Sequence, residues 1–234
     1  MLPLETPLDA LVIAPHPDDA ELGMGGGILT MLAQGLRVGV LDLTDGEPTP
    51  FGSTEIRIAE TAAATSTLGL TWRSNLGLPN RSLEATLAAR ELLAGVIRLT
   101  RPRWLFAPYW EDAHPDHVAA TRLIEDARFW AKLSKTNMPG SPHHPARVFH
   151  YYCIHLRAAI QPMWILDISS QWAKKRAAIE CFHSQFIANR PERPNTIDRL
   201  EEEAGYWGRL IGVRYGEPYT CREPLGLRGF GEVM

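Results

Sequence analysis

Two clusters in this sequence hold residues whose types and spacing could do chemistry. The first, Ala14-Pro15-His16-Pro17-Asp18-Asp19-Ala20-Glu21, sets one histidine beside two adjacent carboxylates. The second, His114-Pro115-Asp116-His117, sets two histidines around another. Zinc takes nitrogen and oxygen donors in a tetrahedral array. A catalytic zinc keeps one position for water and lowers that water's pKa to about 7. His16, Asp19 and His117 supply such a donor set, two imidazoles and one carboxylate. Asp18, adjacent to a ligand without being one, is the candidate base for the water proton. His114 is the candidate acid for a leaving group, or the donor to an oxyanion. Asp116 is expected to orient the His114 ring and raise its pKa by charge proximity. Seen alone, an Asp-Asp pair at a strand end is usually a helix cap or a solvated loop. Two histidine–carboxylate clusters at two strand ends point instead to one metal site built from both. His143, His144, His150, His155 and His183 have no such setting and read as structural or surface residues.

Such a site needs elements that bring both clusters to one edge of a sheet. The apolar run Ala10–Ala14 reads as a buried parallel strand, followed by a helix over 22–32 that opens with glycines. Val38–Thr44 reads as a second strand, and Thr54 as the cap of a helix over 55–68. A third strand is expected over 71–76, a helix over 83–101, and a fourth strand at Trp104–Pro108. A helix over 117–133 then carries the second cluster in its first turn. Strands over 148–154 and 164–168 and helices over 169–183 and 196–212 complete the chain, with 188–195 as a surface linker. Strands alternating with helices argue for βαβ units, a mainly parallel sheet and a Rossmann-like three-layer α/β fold. In the strand order 3-2-1-4, strands 1 and 4 are neighbours and a crevice opens at their carboxyl ends. The two clusters follow those two strands.

The glycines at 23, 25, 26 and 27 invite a nucleotide-binding reading. Ile28 stands where the third glycine of G-x-G-x-x-G belongs, and the HPDDAEL segment separates the run from its strand. The better reading is that small residues let the helix pack close to the sheet. A chain of 234 residues can form one well-buried domain, taken here as 1–234. Its net charge of -3 offers no footprint for nucleic acid or an anionic membrane. No apolar run approaches the roughly 20 residues that span a bilayer. The first nine residues do not read as a signal peptide. Three widely spaced cysteines, Cys153, Cys181 and Cys221, fit unpaired thiols in a reducing cytoplasm.

The two clusters together resemble the signature of the LmbE-like, or PIG-L-type, zinc-dependent N-acetylglucosamine deacetylases. Further segments are similar to the bacillithiol-biosynthesis branch, which hydrolyses N-acetylglucosaminyl malate. They include Asp42-Leu43-Thr44, Thr54-Glu55-Ile56-Arg57, Phe106 to His117 and Gly212 to Glu217. The resemblance implies a Rossmann-like fold and the ligand roles assigned above, with zinc or ferrous iron as the metal. It implies substrate contacts from Arg57, Asn80 and Tyr215, a small N-acetyl sugar as substrate, and a homo-oligomer, a hexamer in that branch. Asn80 stands where relatives carry an aspartate for a sugar hydroxyl. Ala113 stands where close relatives have an arginine, and Pro218-Tyr219 replaces a small residue and phenylalanine. These departures bear on the group attached to the sugar, with a chito-oligosaccharide or an antibiotic precursor as alternatives.

Overall fold

The residues Ala10–Ala14 form strand β1, and all five are buried, as a strand covered on both faces requires. In the computed structural model, which describes residues 4–188, 191 and 193–226, β1 leads into helix α1, Asp19–Ala33. Strand β2 (Val38–Thr44), helix α2 (Thr54–Leu68), β3 (Trp72–Leu78), α3 (Leu87–Thr100), β4 (Trp104–Pro108) and α4 (Pro115–Ala131) follow. The second half holds β5 (Arg147–Tyr151), β6 (Trp164–Asp167), α5 (Trp172–Glu180), α6 (His183–Phe186), α7 (Thr196–Leu210) and β7 (Gly216–Thr220).

Among the described residues the sheet runs β3-β2-β1-β4-β5-β7-β6. The first five strands in that order are parallel, and β7 is antiparallel to both β5 and β6. Side chains alternate across β1. Leu11 and Ile13 join the core under α3 and α4, while Val12 and Ala14 join the core under α1. Helices therefore cover both faces, giving the expected three-layer architecture. The switch in strand order falls between β1 and β4, so the loops after these strands open onto one crevice. No helix among the described residues is long and apolar enough to cross a membrane. All three cysteines are unpaired.

The glycine run in α1 has a packing cause. The helix is broken at Met24, whose φ of -146° is not helical. Just beyond the break, the N–H groups of Gly26 and Gly27 donate to the Glu217 carboxylate at 3.0 and 2.7 Å. The Tyr219 hydroxyl donates to the same carboxylate, and Lys175 pairs with it at 2.7 Å. A Cβ on Gly26 would sit 2.5 Å from the Ile168 side chain, and one on Gly27 would collide with the Tyr219 hydroxyl. The helical donors that a nucleotide phosphate would need are thus filled by an internal carboxylate.

Several boundaries differ from the sequence-based expectation. α1 starts at Asp19, before position 22, because the carboxylates belong to its first turn. Ser53, not Thr54, caps α2; its hydroxyl accepts from the Ile56 N–H. The helix expected over 169–183 is interrupted after Glu180 and resumes as α6. Strand β7 was not anticipated. Its sequence, GEPYT, contains a proline and a glutamate, which argue against an interior strand. Of the linker at 188–195, residues 189, 190 and 192 lie outside the described residues.

Gly27→Ala should cost about 1–3 kcal/mol of stability, the usual penalty for overpacking. Gly205→Ala in α7, where a Cβ meets nothing within 4 Å, should be neutral or slightly stabilising. Urea unfolding of the two variants checks the contrast.

Candidate metal centre

The loop between β1 and α1 is fixed from several sides. The Thr44 N–H and hydroxyl both donate to the Pro15 carbonyl, at 3.2 and 3.0 Å. Arg57 Nη1 donates to the Pro17 carbonyl at 2.6 Å. Glu21, fully buried in α1, pairs with Arg73 of β3 at 2.5 Å, and Arg73 also clasps Asp42 of β2 through Nε and Nη2 at 2.8 and 3.0 Å. This ion-pair chain ties the first turn of α1 to two strands. The loop holds Asp18 at φ 126°, a conformation that L residues rarely adopt and that costs about 1–3 kcal/mol. Such an outlier persists where the surroundings over-determine it.

The expected trio meets at one oxygen. Asp19 Oδ2 lies 3.0 Å from His16 Nδ1 and 3.4 Å from His117 Nε2. The donor atoms of the three residues all fall within 4.8 Å of one another. His117 is 1% exposed, yet neither of its ring nitrogens has a hydrogen-bond partner. A buried polar atom left without a partner is costly unless a ligand completes it. The field favours a cation. Burial disfavours protonating His16 and His117, but Asp19 outweighs it and the pKa of both rises. Burial likewise opposes ionisation of Asp19, but His117 and His16 hold its carboxyl well below the usual range. Two imidazoles and one carboxylate fit zinc, and the residues present fit a resident divalent metal.

Asp18 points away from the trio and accepts from Arg57 Nη1 at 2.8 Å. Burial, then the Asp19 charge, push its pKa up to about 7 against the pull of Arg57. His114 is the N-cap of α4, and its Nδ1 accepts from the Asp116 N–H at 3.2 Å. A neutral ring with Nδ1 as acceptor carries its proton on Nε2. Burial, then the charges of His117 and His16, lower the His114 pKa.

The expectation that the Asp116 carboxylate orients His114 is corrected, since the contact is made by the Asp116 backbone N–H, and the carboxylate's upward pull on the His114 pKa is outweighed. That carboxylate faces His16 Nε2 at 3.2 Å and accepts from the N–H groups of Arg81 and Leu83, at 2.7 and 3.2 Å. Its charge raises the His114 pKa less than burial and the two neighbouring histidines lower it.

His16, Asp18, Asp19, His114 and His117 line a cavity of about 350 Å³. A larger one, about 500 Å³, shares Leu22 and Ile154 with it but holds none of the trio, so chemistry rather than size locates the site. Arg57 and Asn80 line the smaller cavity. The Arg57 side chain is 4% exposed and its Nε faces Glu47 at 3.3 Å, so it is engaged with the base and the loop. Asn80 donates to the Glu47 carbonyl at 3.0 Å. Tyr215 is not brought to the cavity. It is buried, stacks on Trp172 at 4.8 Å and donates its hydroxyl to Glu201, because it belongs to the cluster between α5 and α7. Sequence reasoning missed His155, which lines the cavity with its ring 5.5 Å from that of His114. It also missed Asp112 and Glu47. No motif signals His155 or Glu47, whereas Asp112 stands two residues before the second cluster.

The PIG-L family, described as GlcNAc-PI de-N-acetylase, matches residues 11–128, a span that holds both clusters. The diacetylchitobiose deacetylase of Thermococcus kodakarensis is 30% identical over 233 residues, covering 88% of this chain and 80% of its own. The 4-oxalmesaconate hydratase of Pseudomonas putida is 29% identical over 193 residues, covering 75% of this chain and 73% of its own. The crystal structure of a conserved protein from Thermus thermophilus superposes with a TM-score of 0.86 at 39% identity, covering 94% of this chain and 97% of that one.

Metal analysis of the purified protein should find one divalent ion per chain, and His16→Ala or His117→Ala should lose most of it. Arg57→Lys should keep the metal and lower kcat by roughly ten- to a hundredfold, the value of a charge-assisted hydrogen bond to a buried carboxylate. A raised KM with unchanged kcat would instead mean that Arg57 contacts substrate.

Proposed function

We propose that this chain, which belongs to the PIG-L family of GlcNAc-PI de-N-acetylases, hydrolyses the N-acetyl group of an N-acetylglucosamine conjugate to acetate and a free amine. The observation that carries the reading is the trio His16, Asp19 and His117 closing on one point, with a second carboxylate, Asp18, beside it and turned elsewhere. Zinc or ferrous iron held by the trio would polarise the acetyl carbonyl and make a water acidic near neutral pH.

The chain's own groups do the rest. Asp18, with its pKa near 7, is ionised in good part at neutral pH and takes a proton from the attacking water. The oxygen of that water bonds to the acetyl carbon, and negative charge gathers on the carbonyl oxygen. His114 donates its Nε2 hydrogen to that oxygen. This donor role follows from the Asp116 N–H on Nδ1 and the lowered pKa, which leave the ring neutral. The proton held by Asp18 passes to the amide nitrogen as the carbon–nitrogen bond breaks. Acetic acid gives up its proton in solution, and Asp18 is again a carboxylate.

The group attached to the sugar is proposed to be malate, from the likeness of the Asp42–Thr44, Thr54–Arg57 and Phe106–His117 segments to the bacillithiol branch. Exposed Arg81 at the cavity rim is a cation suited to a carboxylate. A second reading, a β-linked N-acetylglucosamine unit, is favoured by the Thermococcus relative. The cytoplasmic location read from the unpaired cysteines and the hexameric assembly implied by the sequence resemblance belong to the same proposal.

Acetate release from N-acetylglucosaminyl malate, diacetylchitobiose and N-acetylglucosamine tests the function. Acetate together with a stoichiometric free amine from one or more of them is the expected result, and Asp18→Asn should abolish it. No release from any of them, with water added instead to an unsaturated dicarboxylate, would replace the deacetylase reading by a hydratase one.

A further inference from the structure

We propose that Asp112 is a positioning residue that serves the metal ligand His117 and the oxyanion donor His114 at the same time. The inference rests on the metal reading of the trio. Asp112 stands in the loop between β4 and α4, yet its side chain is 2% exposed. Its Oδ1 accepts from the His114 N–H at 2.7 Å. Its Oδ2 lies 3.1 Å from His117 Nδ1, on the ring edge opposite the one that faces Asp19. One carboxylate therefore touches the backbone of one site residue and the ring of another.

A neutral imidazole has a single N–H, so presenting a lone pair from Nε2 toward Asp19 and His16 requires the proton on Nδ1. That tautomer is favoured only where Nδ1 has a strong acceptor. Cys153 is buried beside His117, but a thiol is only a weak acceptor. The Asp112 carboxylate accepts only, and it decides the outcome. At 3.1 Å the pair is within ion-pair reach, although the N–H direction is not aligned for a hydrogen bond.

His16 has the same arrangement, with Nδ1 on Asp19 and Nε2 on Asp116. Both imidazoles of the trio are thus backed by a carboxylate on the far nitrogen, the pattern that fixes ring orientation in metal sites. Asp116 is part of the second cluster, whereas Asp112 lies outside it.

The test is zinc affinity, measured on the full chain by competition with a chromogenic chelator. Asp112→Asn should weaken zinc binding by about 10- to 100-fold, the usual effect of removing such a backing group. Asp112→Ser should do the same while keeping an acceptor for the His114 N–H, which separates the two contacts. Glu111→Gln, at an exposed neighbour, should change nothing. Melting curves of the zinc-free proteins should be unaltered by the serine variant if the role is positioning rather than folding. At saturating zinc, Asp112→Asn should still lower kcat while KM holds. Wild-type zinc affinity in both Asp112 variants would overturn the proposal and leave the metal reading standing. Failure of the wild type itself to bind zinc would overturn both.

Discussion

The Asp19 carboxylate is the hub on which the site depends. One of its oxygens stands between an imidazole from the loop after β1 and another from the first turn of α4. The contact can form only because β1 and β4 are adjacent and parallel, with both carboxyl ends at the same edge of the sheet. The burial that makes the site costly also gives it strength. In a dry setting, a carboxylate between two imidazoles, one of them with no hydrogen-bond partner on its ring, draws positive charge to that point. A divalent ion would supply that charge and give the unpartnered His117 Nε2 a partner.

Much of the surrounding structure holds this hub still. The loop with His16, Asp18 and Asp19 is anchored by Thr44 from β2, by Arg57 from α2 and, through Glu21, by Arg73 from β3. Three elements from one side of the seam thus fix a segment only a few residues long. That accounts for its tolerance of an unfavourable φ at Asp18. The opposite face of α1 is governed by the Glu217 carboxylate, which takes the amides freed at the break near Met24 and is matched by Lys175. Glycine is required there because Tyr219 and Ile168 leave no room for a Cβ.

The convergence of His16, Asp19 and His117, the separate direction of Asp18 and the order of the first four strands were legible in the sequence. Each rests on a local signal, either a motif at the end of an apolar run or alternation of strand and helix. What was not legible depends on groups distant in sequence. The resemblance implies a substrate contact from Arg57, which does line the cavity, but its ion pairs with Asp18 and Glu47 are met only once α2 packs over the loop. Asp116 reads as the partner of His114 because it is close in sequence. Its carboxylate instead caps the N–H groups at 81 and 83 and reaches His16, one hundred positions away. Strand β7 was hidden because burial between β5 and β6 overrides the poor propensity of its proline and glutamate. Tyr215 could not be placed without knowing that its segment leads into that strand.

The adjacent pair Asp18 and Asp19 shows how one fold assigns two roles to one residue type. Both carboxylates are buried, and for both burial is the largest force against ionisation. Asp19 faces two imidazoles, which hold its carboxyl in the charged form. Asp18 faces one guanidinium on one side and the Asp19 charge on the other, so its pKa rises to about 7 and it can exchange a proton near neutrality. The difference arises from direction alone, because consecutive residues at a strand–helix junction point to different neighbours. The unusual φ at Asp18 marks the junction where that divergence is enforced. Without it, the second carboxylate would share the first one's surroundings, and the two groups would not be held in different protonation states side by side.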